Sequence, residues 1–353
     1  MGKAHSNAYA QAPHFFDLPY TISRTLLCGR DVSTLATTAS RWGWEETSTD
    51  WRAAIDRTDI DAVDICLPNH LHAPAAIAAA EAGKIVMCEK PLALTVEDAR
   101  AMARAARGLP TLVWFNYRRV PAIAYARQLI DEGRLGTIFH YNAAYKQQWG
   151  TDTSRDGTWK MDPAQAGSGV GDDLLTHTID TALYLNGPIT ETVASARTIM
   201  PGRRIDDAVM ALVAFENGSA GTFEATRFGV GCKNGKTFEI HGSGGMLRFN
   251  LERLNHLEFL DFTNPSVEQG VRDLLVTDMK HPLFGHFWRP GHIIGYEHTF
   301  IGALAQFLEC LSRGEDFHPN FADGVAVQEV FDAVQRSAKT RQWMRVTYDD
   351  DHR

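Results

Sequence analysis

The stretch Ile85-Val86-Met87-Cys88-Glu89-Lys90-Pro91 decides how the first third of this chain is interpreted. Its opening apolar run predicts a short buried strand, and Leu92-Ala93-Leu94-Thr95 leads into the next helix. Lys90 is therefore predicted on a turn at the carboxyl end of a strand, where open parallel sheets bind their ligands. A lysine placed there can hydrogen-bond to a reacting oxygen and help to move a proton. A solvated lysine on an ordinary loop is the alternative interpretation of this position alone.

Strands and helices alternate around this stretch. Gly43 and Gly83 are suited to ending the helices before them. Thr95 and Asp98 have the spacing of a helix-capping signature. Strands separated by helices of about 10–15 residues predict βαβ units, and therefore a Rossmann-type parallel sheet in an α/β domain. The predicted strands are 24–28, 62–67, 85–88 and 111–115, and the predicted helices are 3–12, 32–42, 73–82 and 96–107.

The start of the chain departs from the usual pattern of such a sheet. A nucleotide-binding sheet opens with a strand, a G-x-G-x-x-G loop and a helix. Here Met1-Gly2 is followed directly by the segment predicted as that helix. The first strand and two of the glycines are therefore expected to be missing from the numbered chain, and whether the numbered start is the natural one stays open.

From residue 119 onward the pattern changes to longer, alternating strands. Asn217-Gly218 and Ser243-Gly244-Gly245 are typical of hairpin turns. The pattern predicts an α+β domain with a large, mainly antiparallel open sheet, one face of which is solvated or oligomeric. We therefore predict a dinucleotide-binding domain over residues 1–118 and a substrate-binding and oligomerisation domain over residues 119–353. The predicted strands are 138–145, 191–199, 208–216, 221–226 and 237–241, and the predicted helices are 121–132, 173–185, 296–311 and 322–339.

The composition disfavours several classes of protein. The 353 residues carry a net charge of −8, which argues against nucleic acid or an acidic membrane surface as the main partner. No apolar run approaches the ~18 residues of a membrane span, and no signal-peptide pattern is present, so a cytoplasmic location is expected. The five cysteines form no CxxC pair, and buried thiols suit them better than disulfides or zinc. No HExxH occurs, and no metal site is predicted.

Polar residues follow two strands of the predicted parallel sheet. Pro68-Asn69 follows the strand at 62–67, and Asn116 follows the strand at 111–115. Because the carboxyl ends of parallel strands open on one edge, we expect these residues to share a dinucleotide site with Lys90. Ordinary turn chemistry is the alternative interpretation of both asparagines. The full set predicted for cofactor binding is Gly2, Gly29, Arg30, Pro68, Asn69, His72, Glu89, Lys90 and Asn116.

The choice between NAD and NADP depends on the residues after the strand at 24–28. Dinucleotide sites usually carry an acidic residue there for the ribose 2′-hydroxyl, but this chain has Gly29-Arg30-Asp31. Gly29 leaves space and Arg30 could accept a 2′-phosphate, which gives a slight preference for NADP over NAD. Asp31 is explained at least as well as the N-cap of the next helix.

A second motif runs from Ala166-Gly167-Ser168-Gly169-Val170-Gly171 into Asp172-Asp173-Leu174-Leu175-Thr176-His177. Asp173 and His177 are four residues apart and would lie on one face of a helix, where a carboxylate can orient an imidazole and raise its basicity. Such a pair suits a dehydrogenase, which takes a hydroxyl proton while hydride leaves the same carbon. An ion pair on the helix surface is the alternative. Asp180 is expected on the same face as a partner of the pair, and Asp172 is expected to cap the helix.

These motifs resemble those of the Gfo/Idh/MocA oxidoreductase family. The resemblance extends over essentially the whole chain, and its most specific part is the combination of Glu89-Lys90-Pro91 with the segment 167–177. It implies that Lys90, Asp173 and His177 act on a substrate hydroxyl, with NAD or NADP as the cofactor.

Within that family, the chain resembles the levoglucosan-dehydrogenase-like branch. The residues that carry this narrower resemblance include Phe115-Asn116-Tyr117-Arg118-Arg119, Glu224-Ala225-Thr226-Arg227 and Gly295-Tyr296. It implies oxidation of a secondary hydroxyl, that at C3, of a glucose-like sugar or glycoside.

Aromatic and arginine side chains are the candidates for substrate binding, because aromatic faces pack on sugar rings and arginines donate to hydroxyls. Core packing or an oligomer interface is the alternative for about half of the aromatic ones. The segment 261–295 is rich in Gly, Pro, His and Trp and is predicted to be a lid or a loop that reaches a neighbouring subunit. The candidate set is Tyr117, Arg118, Gln148, Trp149, Trp159, Arg227, Trp288 and Tyr296.

Three functions remain open at this point. The first is an NAD(P)-dependent sugar or glycoside dehydrogenase that works as a homo-oligomer. The second is a glycoside-cleaving enzyme that oxidises C3 transiently with a tightly held NAD. The third is a non-catalytic regulator that senses a nucleotide or sugar, against which the joint presence of Lys90, Asp173 and His177 argues.

Overall fold

The computed structural model describes residues 1–349. The chain forms two compact units. The first contains residues 1–116 and 295–325, and the second contains residues 117–294 and the described residues from 326 onward. The sequence predicted a boundary near residue 118 but placed everything after it in one domain, so the structure differs in the assignment of residues 295–325.

Helices and parallel strands alternate in the first unit. Strand β1 pairs with β2, while β3, β4 and β5 form a second sheet in that order, and all of these pairings are parallel. Among the described residues, no strand joins the two sheets. The elements up to residue 116 are α1 (Gly2–Phe15), β1 (Leu26–Cys28), α2 (Val32–Trp42), β2 (Glu46–Ser48), α3 (Trp51–Ile55), β3 (Ala62–Ile65), α4 (His72–Glu81), β4 (Ile85–Cys88), α5 (Val96–Ala105) and β5 (Thr111–Val113).

The helix ends in this unit follow from local chemistry. Gly43 ends α2 in the left-handed region with φ of 69°, which costs little without a Cβ atom. The Asp31 carboxylate accepts a hydrogen bond from the Thr34 N–H and so caps the start of the same helix. The Thr95 hydroxyl accepts one from the Asp98 N–H at the start of α5, as its sequence signature predicted.

A nine-stranded mixed sheet forms the centre of the second unit. Its order is β13-β12-β11-β10-β6-β9-β8-β7-β14, and β6–β9 is the parallel pairing in an otherwise antiparallel sheet. This confirms the predicted sheet type, although β11, β12, β13 and β14 were not predicted. The elements are α6 (Pro121–Asp131), β6 (Ile138–Lys146), α7 (Pro163–Ala166), α8 (Thr176–Asn186), β7 (Ile189–Arg197), β8 (Ala208–Phe215), β9 (Ala220–Thr226), β10 (Gly235–Gly242), β11 (Gly245–Asn250), β12 (His256–Asp261), β13 (Arg272–Leu275), α9 (Glu297–Arg313), α10 (Phe321–Thr340) and β14 (Met344–Arg345).

The two faces of the large sheet differ in exposure. Helices α6 and α8 contact the buried face, where the side chains of Tyr141, Phe223 and Phe238 are fully covered. On the other face, Met210 and Leu212 are about half exposed, at 55% and 50%. One face therefore carries the core of the unit, and the other presents apolar side chains outward.

The last two helices explain why residues 295–325 belong to the first unit. Helix α9 packs along α1, and the Phe300 ring lies 5.4 Å from the His5 ring and 5.7 Å from the Trp114 ring. Helix α10 begins in the first unit, where the Phe321 N–H donates to the Thr111 hydroxyl. It ends in the second unit, where the Ser337 hydroxyl accepts from the Ala194 N–H. None of the helices among residues 1–349 is long and apolar enough to cross a membrane.

Candidate functional site

Three polar segments share the carboxyl edge of the β3-β4-β5 sheet. The register aligns the strand ends Ile65, Cys88 and Val113, so the segments that follow them emerge side by side. Asn69 and Asn116, which follow the first and third strands, are both buried. The Asn116 amide donates to the Thr299 hydroxyl on α9 at 2.7 Å, which fixes its orientation. The predicted convergence of these residues on one edge is therefore observed within this unit.

The beginning of α1 fits the phosphates of a dinucleotide. This helix has 14 residues, no side chain caps its N-terminus, and no acidic residue lies in its first turn. Uncapped N–H groups and the positive end of the helix dipole favour an anion at this end. A Cβ atom built on Gly2 would meet nothing within 4 Å.

A buried charge cluster connects α1 to the strand ends. The His5 Nδ1 lies 2.7 Å from the Asp64 carboxylate on β3, and its Nε2 lies 2.9 Å from the Glu89 carboxylate after β4. The Tyr9 hydroxyl and the Trp114 indole N–H both donate to Asp64, at 2.7 and 2.8 Å. We call these five residues the His5 cluster.

The His5 cluster holds one positive charge between two negative ones. Burial disfavours the charged imidazole, but the charges and hydrogen bonds of Asp64 and Cys66 together outweigh burial and raise the pKa of His5 well above its usual value. Burial likewise opposes ionisation of both carboxyls, and His5 nevertheless holds the pKa of Asp64 and of Glu89 below the usual range. His5 is therefore an imidazolium ion at neutral pH, which donates from both ring nitrogens.

Two residues predicted to bind the cofactor have their polar atoms engaged within the unit. The second Glu89 carboxylate oxygen accepts from the Lys90 N–H at 3.1 Å, so Glu89 bridges His5 and the turn that carries Lys90. The His72 ring nitrogens lie 2.8 Å from the Pro91 carbonyl oxygen and 2.9 Å from the Leu67 carbonyl oxygen. Both side chains therefore hold the backbone of the strand ends.

The loop after β1 carries Gly29, Arg30 and Asp31. Asp31 caps α2, and its carboxylate also accepts from the Ser33 hydroxyl at 2.9 Å. Gly29 packs close to Leu35, because a Cβ atom at Gly29 would lie 3.0 Å from a Leu35 methyl group. Arg30 is exposed between them.

In the second unit, the glycine-rich loop is held by Asp206. The Asp206 N–H donates to the Ser168 carbonyl at 2.6 Å, and its carboxylate accepts from the Gly171 N–H at 2.9 Å. Gly169 has φ of +109°, and a Cβ atom there would lie 2.5 Å from the Asp206 carbonyl oxygen, so only glycine fits. Burial raises the pKa of Asp206 to about 6.

The helix that carries Asp173 and His177 is less regular than predicted. Residues Gly171–Leu175 form a π-helical turn, and α8 begins at Thr176. The predicted regular helix from residue 173, with Asp173 and His177 on one α-helical face, is therefore wrong in its first turn. Asp172 does not act as the predicted cap, since its carboxylate accepts from the preceding Ser168 N–H at 2.6 Å.

Asp173 is held by basic side chains. Arg227 donates to its carboxylate at 3.0 Å, and the Lys160 ammonium lies 3.7 Å away. Arg227 is almost fully buried, and its guanidinium lies 4.5 Å from the centre of the Trp149 ring. The Arg227 Nε and Nη1 atoms have no hydrogen-bond partner among the described residues.

His177 lies among aromatic rings. Its ring centre is 4.7 Å from that of Tyr117 and 5.9 Å from that of Tyr145. The two tyrosine hydroxyls are 3.0 Å apart, and the Tyr145 hydroxyl donates to the Asn234 side chain at 2.7 Å. The second unit therefore brings together Tyr117 and His177 in one aromatic cluster.

Arg118 and Asp180 form a buried ion pair. Arg118 donates to one Asp180 oxygen at 2.6 and 2.9 Å, and both side chains are at most 5% exposed. The sequence suggested Arg118 as a sugar ligand and Asp180 as a partner of His177. The structure instead pairs the two charges, because neither could be buried alone at an acceptable cost.

The remaining substrate candidates are spread out. The Gln148 side chain accepts from the Gly231 N–H, and Trp159 lies 6.0 Å from the Lys160 ammonium. Trp288 and Tyr296 are exposed, and Tyr296 belongs to the first unit, where its ring contacts Phe300.

Sequence reasoning missed several polar residues, namely His5 and Asp64 in the first unit and Tyr145, Lys160, Thr181, Asp206, Asn234 and Lys236 in the second. The sequence signal that could have identified some of them is a charged residue at a strand position whose side chain points inward. Asp64 within β3 and Lys236 within β10 both show it.

The chain matches a known family along most of its length. Residues 1–117 match the oxidoreductase family with an NAD-binding Rossmann fold, and residues 123–248 match the GFO/IDH/MocA C-terminal domain. Levoglucosan dehydrogenase of Pseudarthrobacter phenanthrenivorans is 39% identical over 98% of this chain and 95% of its own length.

Solved structures are similar to the same extent. An oxidoreductase domain protein from Kribbella flavida has a TM-score of 0.95 and 43% identity over 98% of this chain and 96% of that one. Levoglucosan dehydrogenase in complex with NADH and levoglucosan has a TM-score of 0.96 and 40% identity over 99% of this chain and 97% of that one. This protein thus belongs to the Gfo/Idh/MocA family. It is an NAD(P)-dependent oxidoreductase, which confirms the predicted family and enzyme class.

Loss of the His5 charge should destabilise the protein in a pH-dependent way. His5→Gln leaves Asp64 and Glu89 buried without a positive partner, and we expect a loss of ~3 kcal/mol in the free energy of unfolding at pH 6. Because the folded-state pKa of His5 is raised, its contribution is complete below about pH 6.5 and is lost as pH rises through the raised value.

Urea unfolding at pH 5.5 to 10 measures this difference, which should shrink toward high pH. His14→Gln, on the exposed part of the same helix, is the control and should follow the wild type. A His5→Gln deficit that stays constant across the whole pH range would contradict a charged His5.

Proposed function

We propose that this protein oxidises a secondary hydroxyl, that at C3, of a glucose-like sugar or glycoside and reduces NAD(P). The observation that carries the proposal is the environment of Asp173 and His177, with Arg227 and Tyr117 in contact, in a chain that is similar over 99% of its length to an enzyme solved with NADH and levoglucosan. Another relative, the inositol 2-dehydrogenase of Rhizobium meliloti, is 27% identical over 80% of this chain.

Proton removal from the hydroxyl is assigned to His177, Lys90 and Asp173. His177 accepts the proton, and the Tyr117 ring beside it limits its rotation and its contact with water. Lys90 donates a hydrogen bond to the same oxygen and stabilises the developing negative charge. Asp173, whose carboxylate accepts a hydrogen bond from Arg227, orients the substrate and His177. The nicotinamide cofactor supplies the hydride acceptor.

The sugar itself is assigned to the surroundings of Arg227. Two nitrogen atoms of this buried guanidinium, Nε and Nη1, have no hydrogen-bond partner among residues 1–349, and a buried donor without an acceptor is costly. Sugar hydroxyls would satisfy them. The Trp149 ring, which already contacts Arg227, offers an aromatic face for a pyranose ring, and Trp159 and Gln148 lie in the same segment.

The cofactor is assigned to the first unit. The uncapped α1 N-terminus at Gly2 would hold the pyrophosphate, and Pro68-Asn69, Lys90 and Asn116 at the strand ends would hold the nicotinamide half. The exposed Arg30 would face the adenosine ribose, where its charge suits a 2′-phosphate.

Removal of the proposed catalytic groups should abolish turnover without unfolding the protein. Lys90→Met and His177→Gln are each expected to lower kcat by ~10²–10⁴-fold, the usual share of a positioned acid or base. A panel of free sugars and glycosides, with levoglucosan included, is monitored by the absorbance of reduced nicotinamide. Lys339→Met, an exposed lysine on α10, is the matched control and should keep wild-type rates.

The products of the same assay distinguish the alternatives. Net formation of NADH or NADPH together with a keto sugar supports a dehydrogenase. Release of the aglycone without net cofactor reduction would assign the chain to glycoside cleavage instead. Wild-type rates in either catalytic variant would reject the proposed mechanism.

The role of Arg30 in cofactor choice has a separate test. In Arg30→Ala we expect kcat/KM for NADP to fall ~10-fold, because one charge-assisted contact to a phosphate is lost. The value for NAD should change less than twofold. Arg52→Ala, an arginine on α3 that packs over Trp51, is the control. Equal losses with both cofactors would show that Arg30 does not read the 2′ position.

We also propose that the outward face of the large sheet packs against a second copy of the chain. Met210 and Leu212 are half exposed there, and charged side chains of both signs surround them, including the pair Lys146 and Glu224. A surface that carries apolar groups together with positive and negative charges can be self-complementary across a two-fold axis.

Leu212→Glu should therefore split the oligomer. The mutation would bury a charge in the interface, and light scattering coupled to gel filtration should show the mass shift from oligomer to monomer. Val267→Glu, at a 91% exposed position outside this face, should leave the mass unchanged. A wild-type mass of one chain at micromolar concentration would contradict the proposal.

A further inference from the structure

Lys236 lies on the buried face of the large sheet, close to His177, the proposed catalytic histidine. Along β10, the side chains of Lys236, Phe238 and Ile240 alternate onto the same buried face. Lys236 is only 2% exposed, although its two neighbours on that face are apolar. Lysine is among the residues that are least often buried, so this position needs a specific explanation.

The Lys236 ammonium is linked to the residues around His177. It donates to the Thr181 hydroxyl at 2.7 Å, and this hydroxyl in turn donates to the His177 carbonyl at 2.9 Å. The ammonium also lies 5.8 Å from the centre of the Tyr117 ring, which is 4.7 Å from the His177 ring. The register of β6 and β10 pairs Lys236 with Tyr145, the second ring beside His177.

The charge of this ammonium changes near neutral pH. Burial lowers the pKa of Lys236 to about 7, and the negative charge of Asp180 opposes part of that shift. Asp180 is already bound by Arg118, so it does not hold the lysine in its charged form at all pH values. Lys236 is therefore an ammonium below about pH 7 and increasingly a neutral amine above it.

The titratable and charged groups that face Lys236 come from three elements. Helix α8 contributes Asp180, which is paired with Arg118. The segment after β5 contributes Tyr117, whose ring lies beside His177, and β6 contributes Tyr145. Burial raises the pKa of Tyr141 well above its usual value, so this phenol stays neutral. Asp180 and Arg118 are paired with each other, whereas burial places the pKa of Lys236 at about 7.

We propose that Lys236 is a positioning residue for His177, whose charge keeps the imidazole neutral and able to accept the substrate proton in mildly acidic conditions. The proposal rests on the function proposed above for His177. The ammonium acts through space across Tyr117 and through the Thr181 hydroxyl, and it does not touch the substrate.

The expected effect follows from Coulomb's law. The distances of 5.8 and 4.7 Å through the Tyr117 ring centre place the ammonium within 10.5 Å of the centre of the His177 ring. At that separation in a protein interior, a unit charge shifts the titration of its neighbour by about one pH unit. The positive charge disfavours a second positive charge on His177. Its removal therefore moves the acidic limb of activity to higher pH.

Two measurements test this on the full-length protein. In Lys236→Met, the midpoint of the acidic limb of kcat/KM should rise by about 0.5–1 pH unit. Lys236→Arg keeps a positive charge and should return the midpoint to within about 0.2 unit of wild type. Histidine labelled with ¹³C at Cε1 reports the same midpoint without turnover, and the His177 signal is assigned by its loss in His177→Gln.

A purely structural role for Lys236 predicts a different pattern. It would lower stability or kcat in Lys236→Met but leave both midpoints where they are, and that result overturns the proposal. Lys84→Met removes an ammonium that is held by the Arg57 and Ile60 carbonyl oxygens in the first unit, and it should not move either midpoint.

The remaining outcomes are also decisive. If Lys236→Met does not fold, Thr181→Val takes its place. Loss of the Thr181 hydroxyl, which accepts from the ammonium, makes the charged form of Lys236 less favourable. We therefore expect a smaller rise of the midpoint than in Lys236→Met, and no rise overturns the proposal. If no sugar is oxidised by the wild type, the proposed function fails, whereas the ¹³C titration still tests the coupling between Lys236 and His177.

Discussion

The bond between the His5 imidazolium and the carboxylates of Asp64 and Glu89 organises the first unit. It joins α1, β3 and the turn after β4, three pieces that are far apart in sequence. A charge in this position cannot be left alone, because a buried ion without a partner costs several kcal/mol. Tyr9 and Trp114 donate to Asp64 and complete the set. The start of α1 and the backbone of Lys90 are thereby fixed against the same sheet edge.

The same constraint shapes the second unit. Arg118 is matched by Asp180, and Arg227 is matched by Asp173. Each pair lies beside the helix that carries His177. The side chains that neutralise the buried charges therefore also help to position the imidazole. Lys236 is the exception, since burial lowers its pKa into the neutral range. A residue whose charge changes near neutral pH is unusual in a purely structural role, but such residues are common at functional sites.

Much of the fold follows from local patterns. Helix α2 has the predicted bounds, since Asp31, Gly43 and the spacing of its apolar residues all define the same segment. Strand β4 and the capping residue Thr95 were also predicted correctly. Strands β11 to β13 were missed because they carry charged residues such as Arg248 and Glu258, which pair across strands and hide the apolar alternation. The π-helical turn at 171–175 was missed because it depends on Asp206, more than 30 residues away.

The candidate functional residues can likewise be separated into features that short sequence motifs predict and features that depend on distant parts of the chain. The sequence alone determined the Gfo/Idh/MocA family and the parallel and mainly antiparallel sheets, because these depend on short motifs and on periodicity, and the same motifs led us to propose Lys90, Asp173 and His177 as catalytic residues. Only the tertiary structure decided which charges pair. It assigned Arg118 to Asp180, Glu89 to His5 and Arg227 to Asp173, and it placed Lys236 behind His177. The physical reason is that the energy of a buried charge depends on what lies within a few ångströms of it, and those neighbours come from distant parts of the chain.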